Sequence, residues 1–233
     1  MLETVLNPTQ WPLPVVQVLL VGIWLGVVGV ISEGLYLTKS ASVEITRKIV
    51  HIGAGNVILL AWWLQTPAWM GIAASLLFSL VALLSYWLPI LPGINSVGRT
   101  SLGTFFYAIS IGLLTAAFWT KGLAAFTVLG ILTMTWGDGM AAIIGQSFGR
   151  HPYQVWDMTK SWEGTSAMFL VSFIIGGAVL GGVYGLTPEI GAIALFTALT
   201  ATVLESFSRW GIDNLTVPLG STFLAYGLWL WWG

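Results

Sequence analysis

A chain of 233 residues that is 57% hydrophobic and only 7% charged carries too much apolar surface for a water-soluble core and belongs in a bilayer. Its 8 Lys and Arg nearly balance its 9 Asp and Glu, which excludes the basic footprint of a nucleic-acid binder. With no cysteine, disulfides and thiolate metal sites are excluded as well.

The first apolar run, from Leu13 to about Gly34, follows no positively charged segment and is too long for a signal peptide, so it reads as a retained span. Mostly apolar stretches of roughly the 20 residues that a spanning helix needs recur at about 13–35, 49–65, 68–88, 101–119, 122–145, 162–184, 189–206 and 214–232. The expected architecture is therefore all-α: a polytopic integral membrane protein of about eight transmembrane helices. No internal repeat or low-complexity tract divides it, so residues 1–233 read as a single membrane-embedded domain. The connections at 36–48, 89–100, 146–161 and 207–213 carry every Lys and Arg except Lys121. By the positive-inside rule they are cytoplasmic, and both termini lie on the opposite side. Tryptophans gather at the ends of the spans, as Trp62, Trp63, Trp156 and Trp210 do, in keeping with the interfacial preference of indole.

Ionisable groups collect at that same face in four clusters. In "EITRKIVH", residues 44–51, Glu44, Arg47, Lys48 and His51 share one helical face. Lys48 suits either a snorkelling anchor or a phosphate site, whereas His51, a turn inside the apolar run, is a candidate polar site. In "GRTSLGTFFY", residues 98–107, Arg99 stands before a helix start that offers hydroxyls and bare backbone, which fits a phosphate as well as an ordinary cap. The third cluster begins at Gly137-Asp138-Gly139. Asp138 lies about 17 residues beyond Lys121, roughly 25 Å at the helical rise, which brings it near the cytoplasmic surface. An acid between glycines at that depth suits a Mg²⁺ ligand, and Ala141, Gly145 and Gly149 form a small-residue stripe for helix packing. Within "TKSWEG", residues 159–164, Lys160 and Glu163 at the start of the sixth span are one helical turn apart, and either pair with each other or divide between phosphate and metal. The fourth cluster brings Glu205 at the end of one span, and Asp213 and Asn214 at the start of the next, to the same face; Asp213 suits a helix cap or a metal site.

Carboxylates able to hold Mg²⁺ together with cations able to neutralise phosphates are the parts of phosphoryl-transfer chemistry. The sequence has no Walker loop, no H-E-x-x-H and no G-x-S-x-G. The residues lead to a phosphate-handling enzyme acting on a lipid. A small ion-coupled transporter using Asp138 as a relay is the alternative of another class, but transporter sites sit at the midplane within repeats, and these charges cluster at one face.

"EITRKIVH", "GDGMAAIIGQSFGR", "KSWEG" and "DNLTVPL", in this order over about residues 30–220, resemble the membrane family of CTP-dependent polyprenol kinases, on the side of its phytol kinases. The related CTP-dependent cytidylyltransferases acting on lipid phosphates usually carry Ser-Pro-Lys where Asp157-Met158-Thr159 precedes Lys160 here, and a different C-terminal signature, so they are the second choice. The resemblance implies transfer of the γ-phosphoryl group of CTP to phytol or a related long-chain prenol at the cytoplasmic face, a phytol-salvage step towards tocopherol. It implies catalytic roles for Asp138, Lys160, Glu163 and Asp213, and Mg²⁺ on Asp138 and Asp213 with Glu163 or Glu205 completing the site. Arg47, Lys48, His51, Arg99, Lys160 and Asn214 would then bind nucleotide or alcohol.

Overall fold

The computed structural model describes residues 14–38, 40, 42–86, 88 and 102–232. In chain order these form α1 (Pro14–Leu37), α2 (Val43–Gly55), α3 (Val57–Trp63), α4 (Ala68–Leu84), α5 (Gly103–Ala117) and α6 (Ala124–Leu132). A π-helical turn (Thr133–Asp138) joins α6 to α7 (Gly139–Phe148), a hairpin of β1 (Pro152–Val155) and β2 (Met158–Ser161) follows, and α8 (Trp162–Tyr184), α9 (Pro188–Ser206) and α10 (Asp213–Trp232) complete the bundle. The protein is all-α in architecture, as its composition requires. Each expected apolar stretch carries helix. Among the described residues, however, five helices are both long and apolar enough to cross a bilayer: Pro14–Leu37, Gly103–Lys121, Ala124–Phe148, Trp162–Tyr184 and Pro188–Ser206. Of the other three, Ala68–Leu84 is apolar but shorter. The second stretch is divided at Asn56, and α10 opens on the polar pair Asp213-Asn214.

The centre is α6. Every residue from Ala125 to Leu132 is buried, so the helix is apolar all round because protein, rather than lipid or water, surrounds it. Helices α5, α8 and α10 pack on it directly, and α9 fills the space between α8 and α10. At the end remote from Asp138, the ring of Phe126 meets those of Phe118, Tyr226 and Trp229 at 5.3–5.7 Å. These are aromatic contacts of the favourable tilted and edge-to-face kind. By contrast α1 lies on the periphery with Val28 as its one buried residue, tied in by Trp24 Nε1 donating to the Gly53 carbonyl at 2.7 Å.

Two local features set the polar end. The glycines around Asp138 serve close packing: a Cβ at Gly137 would stand 2.7 Å from Met168 Sδ on α8, and one at Gly139 would stand 2.6 Å from Ile52 Cγ1 on α2. Helices therefore approach on both sides of the acid. The small-residue stripe works in the same way, since a Cβ on Gly164 of α8 would meet the Ala141 carbonyl at 2.7 Å and Gly145 Cα at 3.3 Å. The expected loop at 146–161 is instead an antiparallel hairpin pairing Tyr153 with Lys160 and Val155 with Met158. Period-2 alternation places Tyr153, Val155, Met158 and Lys160 on one side, half-buried, which a loop reading of so short a segment overlooks.

Replacing Phe126 by Ala should cost about 3–5 kcal/mol, because the surrounding rings cannot all collapse into the space. Reversible unfolding of the purified protein in detergent, compared with wild type, measures it; a loss under about 1 kcal/mol would mean that this cluster is not the centre of the core.

Candidate active site

The polar end is organised by two buried ion pairs that draw on residues far apart in the chain. From α2, Lys48 Nζ donates to Asp138 Oδ2 at 2.5 Å, with both side chains less than a tenth exposed. Lys48 is thus buried and paired rather than reaching out to the surface. From β2, Lys160 Nζ reaches the end of α9, donating to Glu205 Oε1 at 2.5 Å and to the Glu205 backbone carbonyl at 2.6 Å. The Glu205 carbonyl, which also accepts from the Ser208 backbone N–H at 3.2 Å, thus holds a cation at a helix C-terminus, where it opposes the negative end of the dipole. A cavity of about 300 Å³, at the small end of ligand pockets, connects the two pairs. Asp138, Lys160 and Glu205 line it, with Gln146, Ser161 and Thr165 as further polar walls.

The anticipated pair of Lys160 with Glu163 does not form. The helix starts at Trp162, and Ser161, its N-cap, is extended at φ −132° and ψ 148°. Lys160 therefore belongs to a strand, where the three-residue helical spacing does not apply. Glu163 turns instead to the base of the hairpin, where its carboxylate takes His151 Nδ1 at 2.6 Å and the His151 backbone N–H at 3.3 Å. Arg47 pairs with Glu44 on its own helix and remains half-exposed at the rim, its charge still felt at Asp138 and Asp213. For Glu44, burial pushes the pKa up, but the hydrogen bond and charge of Arg47 outweigh this and hold it below the usual carboxylate value. Arg99 lies outside the described residues.

Asp213 and Asn214 open α10. Asp213 interacts electrostatically with Asp138, Lys48, Glu205 and Lys160, so it belongs to the same charged region. The Oδ1 atoms of Asp213 and Asn214 are buried with no hydrogen-bond partner. Buried acceptors without a partner among the protein's own groups are rare in native structures. His51, on the Lys48 face of α2, has its Nε2 3.5 Å from Asp138 Oδ2, also without a hydrogen bond. Among the described residues no group of three or more His, Asp or Glu stands ready to hold a metal by itself.

Tyr107 is a neighbour that the sequence reading passed over. Its ring packs 5.0 Å from the imidazole of His51, and its hydroxyl points at the His51 carbonyl at 3.5 Å. A polar-tipped aromatic one turn beyond Thr104, in the same helix start, was the available signal. Arg209 and Asp157 form a further unforeseen pair at 2.5 Å that ties the hairpin tip to the loop before α10.

The sequence is 51% identical over 228 residues to the phytol kinase of Synechocystis sp., covering 97% of each chain. It is 30% identical to phytol kinase 1, chloroplastic, of Arabidopsis thaliana, over 82% of this chain and 69% of that one. It is 28% identical to the chloroplastic farnesol kinase of the same plant, over 78% of this chain and 65% of that one. No protein-family model matches the chain, and no solved structure does.

The Lys48–Asp138 pair yields a stability prediction. Lys48→Met alone leaves a buried carboxylate uncompensated and should cost about 3–5 kcal/mol, whereas Lys48→Met with Asp138→Asn should recover a large part of that. Unfolding of both single variants and the double variant in detergent gives the coupling; additive losses would mean that the two groups do not meet.

Proposed function

Because the chain belongs to the phytol kinase family, we propose that it is a membrane prenol kinase which transfers the γ-phosphoryl group of CTP to the primary hydroxyl of phytol or a related long-chain isoprenoid alcohol. We place the reaction at the cytoplasmic face, where Lys and Arg concentrate. The observation that carries the mechanism is the meeting of Lys48–Asp138, Lys160–Glu205 and the orphaned acceptors of Asp213 and Asn214 around one small cavity.

In this reading Lys160 is the first triphosphate ligand. It lines the cavity, and an incoming phosphate oxygen can replace the Glu205 carboxylate as its acceptor while the carbonyl of α9 keeps the ammonium in place. Arg47 adds a long-range positive charge from the rim. Asp213, with its unpartnered Oδ1, and Asp138 are the carboxylates that fit Mg²⁺, an ion that needs one or two of them and takes its remaining ligands from phosphate and water. When bound, the ion supplies charge neutralisation at the transferring phosphoryl group. Glu205 is better placed to hold Lys160 than to bind metal, and Glu163 to fix the hairpin that delivers Lys160. Asn214 offers an amide to nucleotide or alcohol. The apolar tail of the alcohol stays in the bilayer, and the phosphoryl group is transferred at its polar end. A role in phytol salvage towards tocopherol follows for a kinase of this substrate class.

Label transfer tests the reading. Purified protein given phytol, Mg²⁺ and CTP should move label from the γ position into lipid and none from the α position. Label arriving from α would instead mark a cytidylyltransferase, and label from neither would remove the nucleotide-dependent reading. Lys160→Ala and Asp213→Asn should each lower kcat/KM by roughly 10²-fold or more, the scale of removing one preorganised charge from a phosphoryl-transfer site. Chelation of Mg²⁺ should abolish turnover, and full activity with chelator present would exclude the ion.

A further inference from the structure

Backbone strain marks two positions that the chemistry above leaves unexplained. Among the described residues three that are not glycine have left-handed backbone, and two of the three are tryptophans, Trp156 at φ 56° and Trp210 at φ 54°. That conformation crowds Cβ against the following carbonyl and suits glycine or asparagine, so a bulky residue there is an outlier. Trp156 opens the two-residue turn between β1 and β2, where hairpins favour glycine. Trp210 stands in the loop between α9 and α10, directly before Gly211, which is itself left-handed at φ 82°. Burial explains neither indole, since Trp156 is 68% exposed and Trp210 72%.

Two contacts join these positions into one unit. Asp157, next to Trp156, pairs with Arg209, next to Trp210, at 2.5 Å. The Arg209 guanidinium lies 5.1 Å from the centroid of the Trp210 ring, within the range of a cation–π contact. A third contact sets their height. The Leu102 backbone N–H donates to the Trp210 carbonyl at 3.2 Å, and Leu102 immediately precedes Gly103–Lys121, a helix long and apolar enough to cross a bilayer. Trp210 is thereby held at the level where a spanning helix enters the apolar layer, and the Asp157–Arg209 pair brings Trp156 beside it. At that level an indole sets its ring against acyl chains and its N–H among headgroups and water. Phe207, 60% exposed at the end of α9, adds apolar surface, and the partly exposed Arg209 offers positive charge to headgroup phosphate.

We infer that Trp156 and Trp210 form a paired anchor that inserts in the headgroup layer of the bilayer holding the protein, and that the Asp157–Arg209 pair transmits this hold to the hairpin. The occupant of the surface is lipid. The anchor needs no substrate and so goes beyond the kinase reading. What it adds to that reading is the height of Lys160, which lies three residues from Asp157 along the hairpin, about 10 Å at the strand rise.

Fluorine NMR of the full-length protein in lipid nanodiscs, with its 14 tryptophans replaced by fluorotryptophan, reads the two indoles separately. Trp156→Phe and Trp210→Phe each remove one resonance and so assign it. Both resonances should lose most of their intensity to a lipid carrying a nitroxide near the glycerol end of its chain, and keep most of it with a soluble gadolinium chelate. Resonances erased by the chelate and untouched by the lipid nitroxide would put the indoles in water, open to a soluble protein, and would overturn the anchor. The hold on the hairpin is read apart from depth. The chain has no cysteine, so a nitroxide on Gln154→Cys, an exposed hairpin position, reports that element alone. Glycine at both positions 156 and 210 relieves the backbone and deletes the indoles. The hairpin nitroxide should then become more mobile in nanodiscs, while the unfolding midpoint in detergent stays that of wild type. An unchanged nitroxide spectrum, or a midpoint that falls together with the gain in mobility, overturns the clamp. If the glycine variant does not fold, asparagine at both positions, which also tolerates left-handed backbone, carries the same comparison. Wild type that phosphorylates no prenol would overturn the kinase reading and leave these readouts standing.

Discussion

A carboxylate buried inside a membrane bundle must be compensated, and the compensation of Asp138 by Lys48 fixes much of the rest. Desolvating two ions costs several kcal/mol each, and the cost is recovered only when distance and surroundings are right. The right distance requires α2 to lie against the π-helical turn, which in turn requires the absence of side chains at Gly139, where Ile52 of α2 fills the space, and at Gly55 of α2, where Thr135 of the turn does. The wider helical turn at Thr133–Asp138 carries the acid into the interior. π-Turns recur at functional sites because they re-aim side chains inside a continuous helix. Here one such turn aims an acid.

The second pair is built on different elements. Lys160 arrives on a strand, crosses to the last carbonyls of α9, and neutralises Glu205 there. Its placement depends on a hairpin whose base is braced by Glu163 and His151 and whose tip is tied by Asp157 to Arg209. Neither lysine is idle before substrate arrives. Each is held by a carboxylate, so neither is a mobile side chain and little side-chain entropy remains to be lost in fixing it.

Much of this was legible in the sequence because hydropathy and the scarcity of charge leave few alternatives. The apolar stretches located the helices, and the convergence of Lys48, Asp138, Lys160, Glu205 and Asp213 at one end followed from counting residues along them. What the sequence did not disclose were partners. Helical spacing suggested Lys160 with Glu163, but the extended conformation at Ser161 breaks the period between them. The pairings that occur, Lys48 with Asp138 and Lys160 with Glu205, span 90 and 45 residues, and separation of that order carries no periodic signal. Asp138, read as facing a cavity, does line one; the helix passes through Gly-Asp-Gly as a π-turn instead of breaking there, and its glycines are explained by neighbours on α2 and α8 that no local pattern reveals. Among the described residues five helices meet the length and hydropathy of a span by themselves, while hydropathy alone does not register the division at Asn56 or the polar start of α10.

In the proposed reaction the two pairs divide the two halves of an amphiphilic chemistry: Lys48 stands on α2, whereas Lys160 stands on the hairpin. They meet across α7, whose small residues let α8 close in beside the cavity. A lipid alcohol and a water-soluble phosphate donor approach such a place from opposite solvents, and neither has to be drawn fully into the other's. The cost of bringing a polyanion to a membrane protein therefore falls on a few fixed charges at the boundary, where partial hydration keeps it small, and the bundle beneath needs only to be rigid and dry. That is why so few charged residues suffice, and why nearly all of them stand at one end.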